Sequence, residues 1–120
     1  MSDNRSIACN LAAIDKNERE QHKANSAEVF TAIEEWLELF NGYAFRLPTD
    51  SKIIEKAAVF MARERQCCPF FEFNLEVTPE SGPVWLKLTG NQKVKEFIKH
   101  NIIPQLKQGQ PGIRPQSSET

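Results

Sequence analysis

The chain has 120 residues, of which 40% are hydrophobic and 26% charged, and its formal net charge at pH 7 is -1. This composition is typical of a globular domain and excludes a disordered chain, and the length is enough to bury a core without metals or disulfides. Fifteen basic residues against 16 acidic ones give no basic excess, so we expect no nucleic-acid partner.

The composition and the two chain ends predict one domain over residues 6–106, with flexible tails at 1–5 and 107–120. No apolar run approaches the roughly 18 residues of a membrane span, so we expect no membrane partner. The polar start of the chain does not resemble a secretory signal, which favours the cytoplasm. In that compartment the three cysteines are expected to be reduced thiols.

The first half of the chain predicts a strand, a helix and a second strand. Residues 7–11 alternate between apolar and small or polar side chains, which indicates a short strand. A long helix from about residue 16 follows, because an apolar stripe with helical spacing runs from Val29 to Phe40. Asn41-Gly42 would end this helix, and the alternation over residues 43–47 predicts the next strand.

The second half predicts a helix, a hairpin and a last helix. The helix covers Ser51 to about Cys67 and ends there because Pro69 disfavours helical geometry in the residue before it. Strands over residues 71–77 and 84–88, joined by a turn rich in proline and glycine, form an antiparallel hairpin. The order β-α-β-α-β-β-α predicts an α+β fold, a two-layer sandwich whose partly antiparallel sheet is covered by helices.

The adjacent pair Cys67-Cys68 is the most chemically distinctive feature. Glu64 precedes the two cysteines by three and four residues, a spacing that places neighbours on one helix surface. If the strand that carries Cys9 packs near this helix end, three thiols and a carboxylate converge. Soft thiolates select soft ions, so Cys9, Cys67, Cys68 and Glu64 are the candidate ligands of a thiophilic metal or metalloid ion.

Two other interpretations of the cysteines remain open. Free cysteine behaves as a small hydrophobe, and Cys67 and Cys68 extend an apolar stripe, so all three thiols could be core residues of a non-enzymatic protein-interaction module. A homodimer is compatible with that interpretation. A cysteine nucleophile is less favoured, because Cys67 lies at a helix C-terminus, where the dipole disfavours a thiolate. An enzyme is therefore not the preferred prediction.

The two histidines, His22 and His100, stand in polar helical segments and are interpreted as solvated surface residues. A closed structural zinc site, which needs about four ligands in characteristic spacings, is not expected from three cysteines.

The stretch from Glu64 to Phe73 reads E-R-Q-C-C-P-F-F-E-F and resembles the central block of a family of small bacterial proteins, E-R/K-x-C-C-x-F followed by an alternating strand. The resemblance extends over residues 82–90, residues 94–97 and the segment around Cys9, and so covers about residues 7–103. The family is loosely associated with heavy-metal resistance neighbourhoods and has no assigned activity. The resemblance implies one compact domain bearing three thiols.

Together these observations predict a small cytoplasmic protein that binds a soft metal or metalloid ion through its thiols.

Overall fold

The structure is a computed structural model and describes residues 9–106 together with the backbone of residues 112–113. It contains three α-helices and a five-stranded sheet, with 3-10 turns at Leu11–Ala13 and Ile103–Gln105. The elements in chain order are α1 (Lys16–Ala32), β1 (Glu35–Leu39), β2 (Gly42–Leu47), α2 (Ser51–Cys67), β3 (Glu72–Val77), β4 (Val84–Thr89), α3 (Gln92–Asn101) and β5 (Gly112–Ile113).

The sheet has the strand order β3-β4-β2-β1-β5, in which the first four strands are antiparallel and β5 runs parallel to β1. One face of the sheet packs into a single apolar core with all three helices, because alternate strand residues point to the same side. The buried residues of β2 and β4 on this face are Tyr43, Phe45, Leu47, Val84, Leu86 and Leu88.

The α+β class, the helix-covered and largely antiparallel sheet, and the order β-α-β-β-α from residue 43 onward are confirmed. Asp50 caps α2 by accepting a hydrogen bond from the backbone of Ile53, as its position before the helix predicts. The hairpin of β3 and β4 has the expected antiparallel register, with Phe73 opposite Leu88.

The end of α1 was predicted wrongly. The helix stops at Ala32, and residues 35–39 form β1 instead of its last turns. Sheet pairing overrides the helical spacing here: Trp36 lies opposite Phe45 in β2 and packs edge-on against Tyr43. The two-residue turn at 40–41 then leads into Gly42, where a side chain would collide with the carbonyl oxygen of Leu88.

The strand predicted at residues 7–11 is also wrong where the structure describes it. Cys9 and Asn10 have no regular structure, and a 3-10 turn begins at Leu11. Asn10 stabilises this turn by accepting a hydrogen bond from the backbone of Ala12, a local alternative to strand pairing. Residues 1–8, 107–111 and 114–120, which include most of the predicted tails, lie outside the described residues.

Contacts between α1 and α2 hold the two helices side by side. Phe30 and Phe60 pack edge to face, with ring centroids 5.4 Å apart. The side-chain amide of Asn25 donates to the carbonyl oxygen of Lys56 at 2.9 Å. The first turn of α1 is joined to the last turns of α2 by an ion pair of Glu18 and Arg63 at 3.2 Å. As a result the first half of α1 lies against the C-terminal half of α2.

Candidate thiol and metal centre

The site is built on the C-terminal end of α2. Cys67 is the last helical residue, and Cys68 leaves the helical conformation (φ -126°, ψ 70°) directly before Pro69. The backbone N–H of Cys68 still donates to the carbonyl oxygen of Glu64 at 2.7 Å, which holds the helix end closed. Both cysteine side chains therefore start from a rigid frame, next to a glutamate one turn earlier.

The structure brings the predicted neighbours Glu64, Cys67 and Cys68 together. The Sγ atom of Cys67 lies 3.7 Å from Oε1 of Glu64, and that of Cys68 lies 3.1 Å from Oε2. The two sulfur atoms are 3.6 Å apart. One carboxylate thus contacts both sulfurs of the pair, through a different oxygen for each.

Cys9 joins this group from the segment that precedes α1. The backbone N–H of Asn10 donates to the carbonyl oxygen of Cys67 at 2.7 Å, which satisfies a carbonyl that the helix end leaves open. This bond draws Cys9 over the end of α2. We call Cys9, Cys67, Cys68 and Glu64 the thiol cluster.

The expectation that all three cysteines are free thiols is wrong in this structure. Cys9 and Cys68 form a disulfide, with their Cα atoms 4.5 Å apart. Cys67 is the free cysteine and is buried. A disulfide sulfur carries no proton, so the contact of Cys68 with Glu64 becomes an S–H···O hydrogen bond only after reduction.

His22 completes the site and was not predicted as a site residue. Its interpretation as a solvated surface histidine is wrong: it is 5% exposed, and its ring stacks on Phe60 with centroids 6.0 Å apart. Its Nε2 atom lies 2.8 Å from Oε1 of Glu64. The packing of α1 on α2 therefore adds an imidazole to the carboxylate that already contacts the sulfurs.

The hydrogen bond to Glu64 constrains the proton on the His22 ring. An ionised carboxylate can only accept, so Nε2 carries the proton in this contact and, in the neutral imidazole, Nδ1 keeps a free lone pair. Nδ1 is buried and has no hydrogen-bond partner among the described residues. Such a buried nitrogen costs free energy until a proton donor or a metal ion uses its lone pair.

The free thiol of Cys67 is held in its protonated form. Burial, followed by the nearby negative charge of Glu64 and their hydrogen bond, raises the pKa of Cys67 from 9.0 to about 11. At neutral pH this thiol is a weak nucleophile, since the thiolate is the reactive species. A metal ion that binds the sulfur would displace the proton.

A surface cleft of about 360 Å³ gives access to these groups. Cys9, which is exposed, lies at the cleft together with His22, Glu64 and Cys67. The other residues that line it are Leu11, Lys23, Ser26, Ala27, Phe30 and Gln105. A small ligand can therefore approach the cluster without unfolding the core.

Two overlapping sets of side chains have the geometry of a metal site. One ligand atom each from Cys9, Glu64 and Cys68 lies within 4.8 Å of the others, and the same holds for His22, Glu64 and Cys67. Glu64 belongs to both sets. Each candidate ligand predicted from the sequence therefore belongs to at least one of the two sets, Cys9 and Cys67 belong to different sets, and His22 is an addition to them.

Comparison with family models, with curated proteins and with solved structures found no match for this chain in any of the three. Within the described residues, no helix combines the length and the apolar character that crossing a membrane requires.

Proposed function

We propose that the reduced protein binds one soft metal or metalloid ion through Cys9, Cys67 and Cys68, with Glu64 as an auxiliary ligand or hydrogen-bond acceptor. The observation that carries this proposal is the convergence of three sulfur atoms on one carboxylate. Cys9 and Cys68 are close enough to be bonded, and the Sγ of Cys67 is 3.6 Å from that of Cys68.

These distances suit a shared ion. With a metal–sulfur bond of about 2.3 Å, two sulfurs on one ion are roughly 3.8–4.0 Å apart. Cys67 and Cys68 are already within a few tenths of an ångström of that separation. Cys9 would have to withdraw from Cys68 once their bond is broken, and its place in an exposed segment leaves it room to do so.

The chemistry of the donors favours a soft ion over a hard one. Three sulfurs in one place select thiophilic ions, whereas Mg²⁺ or Ca²⁺ would need several oxygen ligands. Trivalent arsenic is a suitable example: arsenous acid and three thiols give an arsenic bonded to three sulfurs and release three water molecules. The three thiol protons leave in that water, and Glu64 can relay them one at a time from a sulfur to a departing hydroxyl group.

The disulfide excludes the three-thiol site, so reduction must come first. A cellular dithiol can supply two electrons, forming its own disulfide while Cys9 and Cys68 become thiols. Attack is easiest at the exposed sulfur of Cys9, because access limits thiol–disulfide exchange. The proposal therefore places the working protein in a reducing compartment such as the cytoplasm.

The alternative is a protein-interaction module whose cysteines serve the core. The burial of Cys67 and Cys68, which are 4% and 0% exposed, favours it. The cleft beside Cys67 and the convergence on Glu64 count against it, since core packing requires neither. A nucleophilic enzyme is disfavoured by the raised pKa of Cys67.

Native mass spectrometry of the reduced protein with arsenite, Cd²⁺ and Hg²⁺ tests the proposal. We expect one ion per chain for wild type with at least one of the three probes. Cys9→Ser, Cys67→Ser and Cys68→Ser should each weaken that binding strongly, and His100→Ala should leave it unchanged. A folded, reduced protein that binds none of the probes would favour the interaction module.

A further inference from the structure

The second ligand set, His22, Glu64 and Cys67, does not include either half of the disulfide. We propose that it is an alternative site for a borderline divalent ion, Zn²⁺ in the first place, which shares Glu64 and Cys67 with the three-thiol site and is available while Cys9 and Cys68 remain bonded. This site does not rest on the three-thiol proposal, because it needs no reduction. We call these three residues the His–Glu–Cys group.

The donor set points to zinc. Imidazole nitrogen, carboxylate oxygen and thiolate sulfur are its usual protein ligands, and sites with three protein ligands leave a fourth position for water or another small molecule. The cleft of about 360 Å³ next to Cys67 provides space for that fourth ligand. A single thiolate with nitrogen and oxygen donors is less suited to the softest ions than a three-thiol site.

The distances require only small adjustments. On a tetrahedral zinc ion, sulfur and oxygen ligands are about 3.6 Å apart, and the Sγ of Cys67 lies 3.7 Å from Oε1 of Glu64. A nitrogen and an oxygen on the same ion would be about 3.4 Å apart. Nε2 of His22 and Oε1 of Glu64, at 2.8 Å, would have to separate slightly if both are ligands.

The state of the His22 ring is the second, independent observation. Nδ1 is buried and no described residue hydrogen-bonds to it, while Nε2 is held by Glu64. Metal-binding histidines commonly bind the ion with one nitrogen and donate the other N–H to a carboxylate. For Glu64 to be a ligand of the same ion, His22 binds through Nε2, the nitrogen that already lies beside Glu64, and its remaining proton moves to Nδ1.

Cobalt titration of the oxidised, metal-free protein tests the site directly. The chain has three cysteines, two of which are in the disulfide, so any absorption from thiolate-to-cobalt charge transfer must come from Cys67. We expect one Co²⁺ per chain with this absorption, displacement of the cobalt by Zn²⁺, and protection of Cys67 from alkylation by Zn²⁺.

Variants provide the matched comparison. Cys67→Ser and His22→Asn should lower the zinc affinity at least tenfold, whereas His100→Asn, at the exposed histidine, should not change it. Circular dichroism establishes that each variant is folded. The proposal is overturned if the oxidised wild type shows no charge-transfer absorption with cobalt, or if Cys67→Ser binds Zn²⁺ as tightly as wild type. Because the disulfide stays closed, neither outcome bears on the three-thiol site.

Discussion

A glutamate near the C-terminal end of α2 and one in α3 each contact a histidine, but in opposite environments. At α2, Glu64 contacts His22 at 2.8 Å, and their side chains are 17% and 4% exposed. At α3, Glu96 contacts His100 at 3.1 Å, and theirs are 49% and 66% exposed. The second pair belongs to one helix at the i, i+4 spacing, whereas the first joins two helices. The contact distance is thus similar, and burial and partners decide what each pair can do.

A cluster of polar side chains becomes a candidate site when several elements of the fold converge on it. Two other parts of the fold contact the end of α2. His22 of α1 contacts Glu64, and Cys9, in the segment before α1, is bonded to Cys68. The His100 pair is confined to the surface of its own helix. Such exposed pairs typically contribute only 0.3–0.5 kcal/mol, roughly, to stability. Four predictions test whether the two helix ends differ in this way.

The largest effect is expected from the disulfide. Cys9→Ser removes a cross-link between residues 59 positions apart, which should lower the free energy of unfolding by about 2–4 kcal/mol. Urea denaturation without reductant measures it, and the reduced wild type should resemble the variant. An equal stability of oxidised and reduced wild type would show that the end of α2 is not fastened by this bond.

The two histidines come next. His22→Ala should cost about 3 kcal/mol, because it leaves a cavity against Phe60 and removes a hydrogen-bond partner from Glu64. His100→Ala should cost less than about 0.5 kcal/mol, as expected for an exposed residue. Thermal denaturation of the two variants gives the comparison. Similar losses would contradict the distinction between the two helix ends.

The free thiol of Cys67 has no counterpart on α3, and its rate of alkylation should depend on pH. With its pKa raised from 9.0 to about 11, Cys67 has a thiolate fraction at pH 7 that is roughly a hundredfold lower in the native than in the unfolded protein. Alkylation of the oxidised protein should accelerate up to about pH 11 when native, but level off near 9 in denaturant.

The raised pKa of Cys67 also predicts how the free energy of unfolding depends on pH. The unfolded chain loses the Cys67 proton at lower pH than the native chain, so this contribution is intact below about 9 and is lost as the pH rises towards 11. Glu64→Gln removes one cause of the shift and should move the native alkylation profile to lower pH. If the alkylation rate of the native protein already levels off near pH 9, burial and Glu64 do not raise the pKa of Cys67.

The smallest change in the free energy of unfolding is expected when Glu64 or Glu96 is replaced. Glu64→Gln keeps the shape of the side chain but removes its charge beside His22, which should cost about 1 kcal/mol. The matched change Glu96→Gln should cost only a few tenths. Denaturation in parallel measures both, and a larger loss for Glu96→Gln would reverse the comparison.

Much of this helix end could be predicted from the sequence. The spacing of Glu64, Cys67 and Cys68 follows from helical geometry alone, and Pro69 marks the helix end. Similarly, the alternation in β3 and β4 predicted a hairpin that the structure contains. These features are local, so the sequence pattern is sufficient to specify them.

The features that were missed depend on distant contacts. Extending the apolar stripe of α1 backwards from Val29 by seven residues reaches His22, which lies on the buried face; the polar neighbours of His22 concealed this signal. The bond between Cys9 and Cys68 joins residues 59 positions apart and is accompanied by a hydrogen bond from Asn10 across the end of α2, and local spacing encodes neither contact. In β1, pairing with β2 outweighs the helical spacing around Trp36.

We propose that three thiols hold one soft ion at the end of α2, and the number of sulfur ligands on a bound arsenic tests this claim. X-ray absorption spectroscopy of reduced protein loaded with one equivalent of arsenite gives that number. Three sulfurs in wild type, and two in each of Cys9→Ser, Cys67→Ser and Cys68→Ser, are the predicted result. Oxygen ligands alone in wild type, or a sulfur count that Cys67→Ser does not change, would contradict the claim.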